Sequence, residues 1–218
     1  MYKRQDLQLV KLSLDLEDTK ESEALEKGWL IYDNIWYASR SSRIKIDDYK
    51  PQKQNKKLQK YSFYYQDTFN MTEEVIDVYI TFINIKKFKK TYKLDTDLER
   101  SSGVFVYNNE TNKLVAFTKM VKYEGGIESQ FTVWDYSEPK ESIGKVIIDY
   151  EIEAAKKLGH KYLYIGPIYG LNSIYKTNLS GFQWWDGENW INNDHTLFKL
   201  LESDSNIKTL EDLNNAFI

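Results

Sequence analysis

The sequence predicts an α/β fold with a mixed, mostly antiparallel sheet, flanking helices and an N-terminal elaboration. Two observations lead to this prediction. From Gly103 to Trp134, three runs of alternating apolar and polar residues are separated by turn sequences, which is typical of antiparallel strands. A helical pattern and a further strand-like run follow before Gly166, which is typical of a helix that connects two strands of one sheet.

Local patterns define the elements of this central region. The strands are predicted at 104–107, 113–123 and 127–134, and Gly125-Gly126 marks the hairpin turn before the third. A helix with one apolar face is predicted at 143–158, and a return strand at 161–165. The helix positions left for solvent are Lys145, Asp149, Glu153 and Lys156.

The chain on either side adds further predicted elements. Residues 7–16 and 61–69 alternate as strands do, and Thr72 begins a helix that runs to about Phe88. Asp186-Gly187 predicts a terminal hairpin turn, and the acidic chain from Ser203 is expected to be peripheral. The apolar face of the helix after Thr72 is predicted to consist of Val75, Ile76, Tyr79, Ile80 and Ile83.

Three antiparallel strands, a loop that leads into a helix and a return strand resemble the core of acyltransferases of the GNAT type. This resemblance implies a ligand site in the gap where the third strand and the return strand diverge. With the composition along the chain, it predicts an N-terminal segment carrying a basic run at 1–70, a GNAT-like transferase domain at 71–200 and an acidic tail at 201–218.

The composition is that of an ordinary globular protein and excludes several kinds of chemistry. Of the 218 residues, 41% are hydrophobic and 29% are charged. Without cysteine there is no disulfide, thiolate nucleophile or thiolate metal site. His160 and His195 have no companion at metal-ligand spacing, so we expect no metal site. We also expect no bound cofactor. No apolar run approaches the roughly 18 residues of a membrane span, and we expect a cytoplasmic protein with no membrane partner.

Basic residues are concentrated in one part of a chain whose net charge is −3. The stretch from Arg40 to Lys60 contains eight of them, and Asp47 and Asp48 are its only acidic residues. Such a stretch binds phosphates through its local field or simply forms a solvated surface, and the charge alone leaves both interpretations open.

The loop at 136–142 is predicted to bring backbone amides to the N terminus of the next helix, where the helix dipole attracts an anion. Gly144 would let a ligand approach the first turn, Ser142 would add a hydroxyl, and Lys140 and Lys145 would add charge. In acetyl-CoA-dependent proteins of the GNAT type this loop carries two small residues and wraps a pyrophosphate. Since only one glycine occurs here, we expect a single phosphate or a differently shaped acyl donor.

Seven segments carry a more specific resemblance. They are Gly28-Trp29, 32–37, 49–57, 135–144, 162–166, Ser173-Ile174-Tyr175-Lys176, and Asp186-Gly187 with Trp190. In this order and spacing they resemble the aminoacyl-tRNA-protein transferases, which comprise arginyltransferases and bacterial leucyltransferases. Two features differ from that pattern: no cysteine precedes the basic run, and no Arg-Pro follows Lys176.

The resemblance implies transfer of an aminoacyl group from aminoacyl-tRNA, the co-substrate, to an amine, commonly the N terminus of a protein or peptide. Two alternatives stay open within the same fold. One is an acetyl-CoA-dependent N-acetyltransferase, and the other is a non-catalytic module that binds tRNA or a peptide. The sequence determines neither the amino acid carried nor the oligomeric state.

The resemblance also implies the site residues. The predicted catalytic residues are Tyr164, Tyr169, Tyr175 and Lys176. The residues predicted to bind tRNA and the donor are Lys53, Lys56, Lys57, Lys140, Ser142, Gly144 and Lys145. Core packing of the tyrosines and a solvated lysine surface are the simpler interpretations of the same residues.

Overall fold

The computed structural model describes residues 13–14, 20–33, 35–51, 59–87, 93–136, 143–192 and 195–207, with only the backbone for 13–14. The chain divides into two compact units, of which unit 1 is Met1–Lys50 with Tyr164–Ile218 and unit 2 is Pro51–Leu163. Unit 1 thus combines both ends of the chain. The predicted division at residues 70 and 200 concerns successive segments and stays a prediction.

The described residues form the following strands and α-helices, numbered along the chain. The strands are β1 (Ser13–Leu14), β2 (Trp29–Tyr32), β3 (Ile35–Ala38), β4 (Ser41–Lys45), β5 (Tyr61–Gln66), β6 (Ser101–Asn108), β7 (Lys113–Tyr123), β8 (Gly126–Trp134), β9 (Tyr162–Pro167), β10 (Phe182–Trp185) and β11 (Trp190–Asn192). The helices are α1 (Glu21–Glu26), α2 (Glu73–Lys86), α3 (Ile143–Lys157) and α4 (His195–Asn206).

Unit 1 contains two groups of paired strands. One is antiparallel with the order β1-β3-β2, and the other has the order β11-β10-β4-β9. In the second group β10 is antiparallel to both β4 and β11. The predicted turn between β10 and β11 is confirmed, because Asp186 Oδ1 accepts hydrogen bonds from the backbone N–H groups of Glu188 and Asn189.

Unit 2 contains the strands that the sequence analysis places at the centre of the fold. They are antiparallel, in the order β8-β7-β6-β5, and α3 follows β8. The predicted α/β class is confirmed, as is the predicted order of three antiparallel strands, a helix and a return strand. The helix also ends where expected, since Gly159 follows it with a positive φ of 79°.

A β-bulge interrupts β8. Lys119 of β7 is opposite Phe131 and Met120 is opposite Ser129, so Gln130 is an extra residue in β8. A bulge bends its strand and increases the local twist, and bulges are common next to active sites. The local sequence carries no turn residue at this position, which is why pattern analysis did not detect the bulge.

One core cluster of unit 2 lies between α2 and the sheet, and its residues differ from the predicted apolar face of α2. Val75 and Val78 are buried there, with Tyr79 and Phe82 packed against them. Ile76 and Ile80 are exposed, so their predicted place in the core was wrong. Both sets of residues recur at helical spacing, and only the contact with the sheet decides between them.

The buried face of α3 carries two acidic residues. Asp149, predicted to face solvent, is buried, so that prediction was wrong. Glu151 is also buried, and its Oε1 accepts a hydrogen bond of 2.6 Å from the hydroxyl of Thr118. Burial raises the pKa of Glu151, while hydrogen bonds from Thr118, Ser129 and Thr132 oppose that rise.

Lys119 is fully buried in β7. Its Nζ donates to the backbone carbonyl and, at 3.3 Å, to the hydroxyl of Thr96. Burial lowers its pKa from 10.5 to about 8, although Asp97, Asp95 and Glu128 favour the charged form.

We expect Lys119 to make stability depend on pH. Above pH 8 the folded state releases this proton, whereas the unfolded state holds it up to 10.5. The free energy of unfolding should therefore rise by about 2 kcal/mol between pH 8 and 10 relative to that of Lys119→Met. Urea unfolding across this range checks it, with Lys113→Met on the exposed start of β7 as the control. Parallel curves for wild type and Lys119→Met would contradict the assignment.

In the part of the chain that the structure describes, no helix is long and apolar enough to cross a membrane. Among those same residues, no group of three or more His, Asp or Glu side chains is close enough to hold a metal ion.

Candidate active site

Residues 165–171, which comprise the end of β9 and the chain just after it, are called the β9-exit segment. Hydrogen bonds from other parts of unit 1 hold the backbone of this segment. Ser42 Oγ donates to the carbonyl of Gly166 at 2.7 Å. The N–H of Ile168 donates to the carbonyl of Arg40 at 2.8 Å, and the N–H of Leu171 donates to Ser205 Oγ at 3.0 Å. Three parts of unit 1, namely β4, the turn before it and α4, thus fix one short stretch of backbone.

Lys176 completes this arrangement from the 3-10 helix Leu171–Asn178. Its Nζ donates to the carbonyl of Ile165 at 2.5 Å and to that of Pro167 at 2.9 Å. The predicted contact of Lys176 with a substrate end stays a prediction. The observed bonds show that its ammonium group holds both sides of Gly166 in place.

Tyr169 lies beside an ion pair. The backbone N–H of Arg40 donates to the Tyr169 hydroxyl at 2.8 Å, and the Arg40 guanidinium lies 4.9 Å from the centre of the Tyr169 ring. Asp204 of α4 binds that guanidinium at 2.6 and 3.3 Å and accepts a bond of 3.1 Å from the N–H of Gly170. The expectation that the chain from Ser203 is peripheral was therefore wrong at Asp204.

The Tyr169 hydroxyl is held as a neutral group. Burial raises its pKa, and the hydrogen bond and positive charge from Arg40 oppose that rise. Because the oxygen accepts a bond from an amide, the proton of the hydroxyl remains available for donation. A half-buried phenol of this kind can pass a proton without ionising at neutral pH.

The other two predicted tyrosines differ in exposure. Tyr164 is 1% exposed, and its ring contacts Trp190 edge-on at 5.8 Å between ring centres. Tyr175 is 55% exposed and faces solvent from the 3-10 helix. Tyr164 therefore occupies a packed position and Tyr175 an accessible one, and the catalytic role of each stays a prediction.

Trp190 contacts residues from separate parts of unit 1. Arg43 lies over its ring at 4.0 Å, and its Nε1 donates to the carbonyl of Glu26 at 2.9 Å. Arg43 is itself buried, with Glu26 and Gln183 as hydrogen-bond partners. The prediction that Arg43 belongs to a basic surface stretch was therefore wrong. Its guanidinium binds Glu26 and Gln183 within unit 1.

The predicted donor loop is described only from Ile143 onward, so Lys140 and Ser142 lie outside the described residues. Gly144 packs on Trp134, since a Cβ there would be 3.1 Å from the ring. Lys145 is exposed. Nearby, Lys86 Nζ lies 3.7 Å from the centre of the Tyr136 ring. The close contact with Trp134 is enough to account for a glycine at position 144. The predicted role of Gly144 in ligand approach stays a prediction.

Two further predictions are not tested by the described residues. Lys53, Lys56 and Lys57 lie outside them. In addition, β8 belongs to unit 2 and β9 belongs to unit 1 from Tyr164 onward, so the predicted gap between the two strands stays a prediction.

Sequence reasoning missed three residues of the site, namely Ser42, Arg40 and Asp204. Arg40 was counted only as surface charge, and Asp204 only as part of an acidic end. The available signal was the repeat Leu197, Leu201 in α4, both of which are buried. That apolar spacing indicates a docked helix, and Asp204 follows Leu201 by three positions, which places it on the same face.

The fold and the site define an α/β chain with the order of elements of a GNAT-type acyltransferase core. Comparison with known families is more specific. The family model described as arginine-tRNA-protein transferase, C terminus, matches residues 46–178, which is more than half of the chain. This protein belongs to that family.

Individual proteins are more distant. An aspartate/glutamate leucyltransferase of Teredinibacter turnerae is 29% identical over 93 residues, covering 41% of this chain and 37% of that protein. The solved structure of L-PGS from Bacillus licheniformis has a TM-score of 0.47 and 17% identity, covering 61% of this chain and 46% of that one. For the C-terminal domain of a putative lysylphosphatidylglycerol synthetase from Agrobacterium fabrum, the TM-score is 0.49 and the identity 10%, covering 72% and 54%. The chain thus matches about half or less of each of these relatives.

Proposed function

We propose that this protein transfers an aminoacyl group from aminoacyl-tRNA to an amine, and that the amine is the N terminus of a protein or peptide. The family match over residues 46–178 carries this proposal. The matched part includes three of the side chains at and beside the β9-exit segment, namely Tyr169, Tyr175 and Lys176. The reaction belongs in the cytoplasm, because charged tRNA is found there.

The reaction needs no strong acid or base, because the aminoacyl ester is already activated. The amine nitrogen attacks the ester carbonyl carbon and forms the new C–N bond. The C–O bond to the ribose then breaks, and the ribose oxygen gains the proton that the amine loses. Holding the amine and the ester together supplies most of the acceleration, and one relayed proton transfer supplies the rest.

In this proposal Tyr169 relays that proton. Its oxygen is fixed by the N–H of Arg40, so its own proton points away from that bond. The phenol gives its proton to the departing ribose oxygen and takes one from the attacking amine, so it starts and ends neutral. The raised pKa of Tyr169 suits this role, since a phenolate would have no proton to give.

Arg40, Asp204 and Lys176 act as positioning residues. The Arg40 guanidinium is neutralised by Asp204 and lies along the Tyr169 ring. Lys176 holds the carbonyls on both sides of Gly166. Together they keep the β9-exit segment in one conformation, so the Tyr169 hydroxyl is held in place for the reaction.

The direct test offers the protein each candidate donor in turn. The protein is incubated with tRNA carrying a radiolabelled amino acid, one amino acid at a time, and with a set of peptides that differ in their first residue. Label in the peptide supports the proposal and identifies both substrates. Stabilisation by acetyl-CoA with acetylation of the peptide, or tRNA binding without transfer to any amine, would overturn it.

The basic run gives a second test. We expect Lys53→Ala, Lys56→Ala and Lys57→Ala together to reduce the slope of log tRNA affinity against log salt by about one unit for each phosphate that is no longer bound. Fluorescence anisotropy at several salt concentrations measures it. The matched control replaces the exposed lysines Lys20, Lys113 and Lys199, which changes the net charge equally. Equal slopes for the two triple variants would contradict the assignment.

A further inference from the structure

An apolar stripe runs along one side of α2 in unit 2, apart from the side that packs on the sheet. Ile76 is 36% exposed, Ile80 is 50% exposed and Ile83 is partly exposed. The buried side of the helix carries Val75 and Val78 instead. Single apolar residues are ordinary on a protein surface, whereas these three lie on consecutive turns and form a continuous strip.

A charged residue extends the stripe at each end of α2. Glu73 lies three residues before Ile76, and Lys87, which directly follows the helix, lies four residues after Ile83. The five positions are thus separated by three, four, three and four residues. Because an α-helix has about 3.6 residues per turn, this spacing keeps them on one side of α2. It is the pattern of the contact seam between two paired helices.

The charges at the two ends indicate the partner and its direction. Glu73 and Lys87 are both exposed, and neither forms an ion pair with another residue among those that the structure describes. A second α2 in the antiparallel direction brings Glu73 of each copy beside Lys87 of the other. A parallel second helix brings like charges together at both ends, which is unfavourable. The stripe is therefore complementary in charge to a reversed copy of itself.

We propose that this stripe is the contact between two copies of the chain, related by a twofold axis close to Ile80. Ile80 of one copy packs on Ile80 of the other, and Ile76 of each lies beside Ile83 of the other. Both copies use the same surface, so the assembly closes as a dimer. Three isoleucines from each copy cover less area than most stable interfaces, so the dimer is weak and depends on protein concentration. It does not depend on aminoacyl transfer.

Sedimentation velocity of the full chain at low ionic strength, over a wide range of protein concentration, tests this contact. We expect a monomer–dimer equilibrium for the wild type. Ile80→Glu should raise the dissociation constant about tenfold or more, because each dimer would bury two adjacent carboxylates. Ile85→Glu is the matched control, since Ile85 is 45% exposed on the opposite side of α2. It should leave the constant within about twofold.

Charge reversal tests the antiparallel direction. Glu73→Lys and Lys87→Glu should each weaken the dimer about fivefold, since either change replaces two attractive pairs with two repulsive ones. Both changes together restore opposite charges, so the double variant should dimerise nearly as well as the wild type. Urea unfolding checks that each variant folds.

Three outcomes would overturn the proposal. The first is a wild type that stays monomeric at every concentration, and the second is a dimer that Ile80→Glu leaves intact. The third is a double charge-reversed variant that dimerises no better than either single one, because only an antiparallel pairing of the two ends restores the attraction. None of these results depends on whether the protein transfers an aminoacyl group, so the proposed function is tested separately.

Discussion

Replacing Tyr169 with Phe is expected to lower kcat for aminoacyl transfer by about a hundredfold with little change in KM. The ring and its contact with Arg40 stay, and only the hydroxyl that carries the proton is removed. A positioned acid or base group contributes about 10²-fold or more, and an activated ester places this reaction at the low end. Steady-state assays with varied peptide concentration separate kcat from KM.

The same change elsewhere on the chain provides the control. Tyr162→Phe removes a hydroxyl from a half-buried tyrosine in β9, so kcat should stay within about twofold. The Tyr169→Phe protein should keep its melting temperature within a few degrees, since it loses one hydrogen bond to a backbone amide. A fully active and folded Tyr169→Phe protein would rule out the proton relay and leave Tyr169 a packing residue.

Much of the central fold is predictable because turn or glycine residues in the sequence mark the ends of its strands and its helix. The predicted strand at 113–123 coincides with β7, and the helix from Ile143 ends within one residue of its predicted end. Both elements lie between turn or glycine signals that act locally. The apolar face of α2 was predicted wrongly for the opposite reason. Ile76 and Val75 both satisfy a helical spacing, and only the contact of α2 with the sheet distinguishes the exposed residue from the buried one.

The candidate site was only partly predictable for a related reason. Tyr169 and Lys176 lie in segments that sequence analysis singled out. Their partners are remote, since Arg40 is 129 residues from Tyr169 and Asp204 is 164 residues from Arg40. Charge pairing across such separations leaves no periodic signal in a single sequence. The same limit explains why Lys119, a lysine in the middle of a strand, gave no indication that it is buried.

The largest effect on stability is expected from Asp204. Its side chain is 7% exposed and that of Arg40 is 18% exposed, so removing the carboxylate leaves a largely buried cation and an unpaired Gly170 N–H. Asp204→Ala should therefore lower the free energy of unfolding by about 2–4 kcal/mol. Urea unfolding at pH 7 measures it. Glu202→Ala, on the exposed side of the same helix, should change the value by less than about 0.5 kcal/mol.

A double variant shows whether the loss comes from the stranded charge. If it does, Arg40→Met with Asp204→Ala should be more stable than the sum of the two single changes predicts, because no charge remains buried without a partner. The coupling should be about 1 kcal/mol or more. Additive losses would mean that Asp204 stabilises α4 through Gly170 alone, and the Arg40 guanidinium would then have no part in fixing the chain around Tyr169.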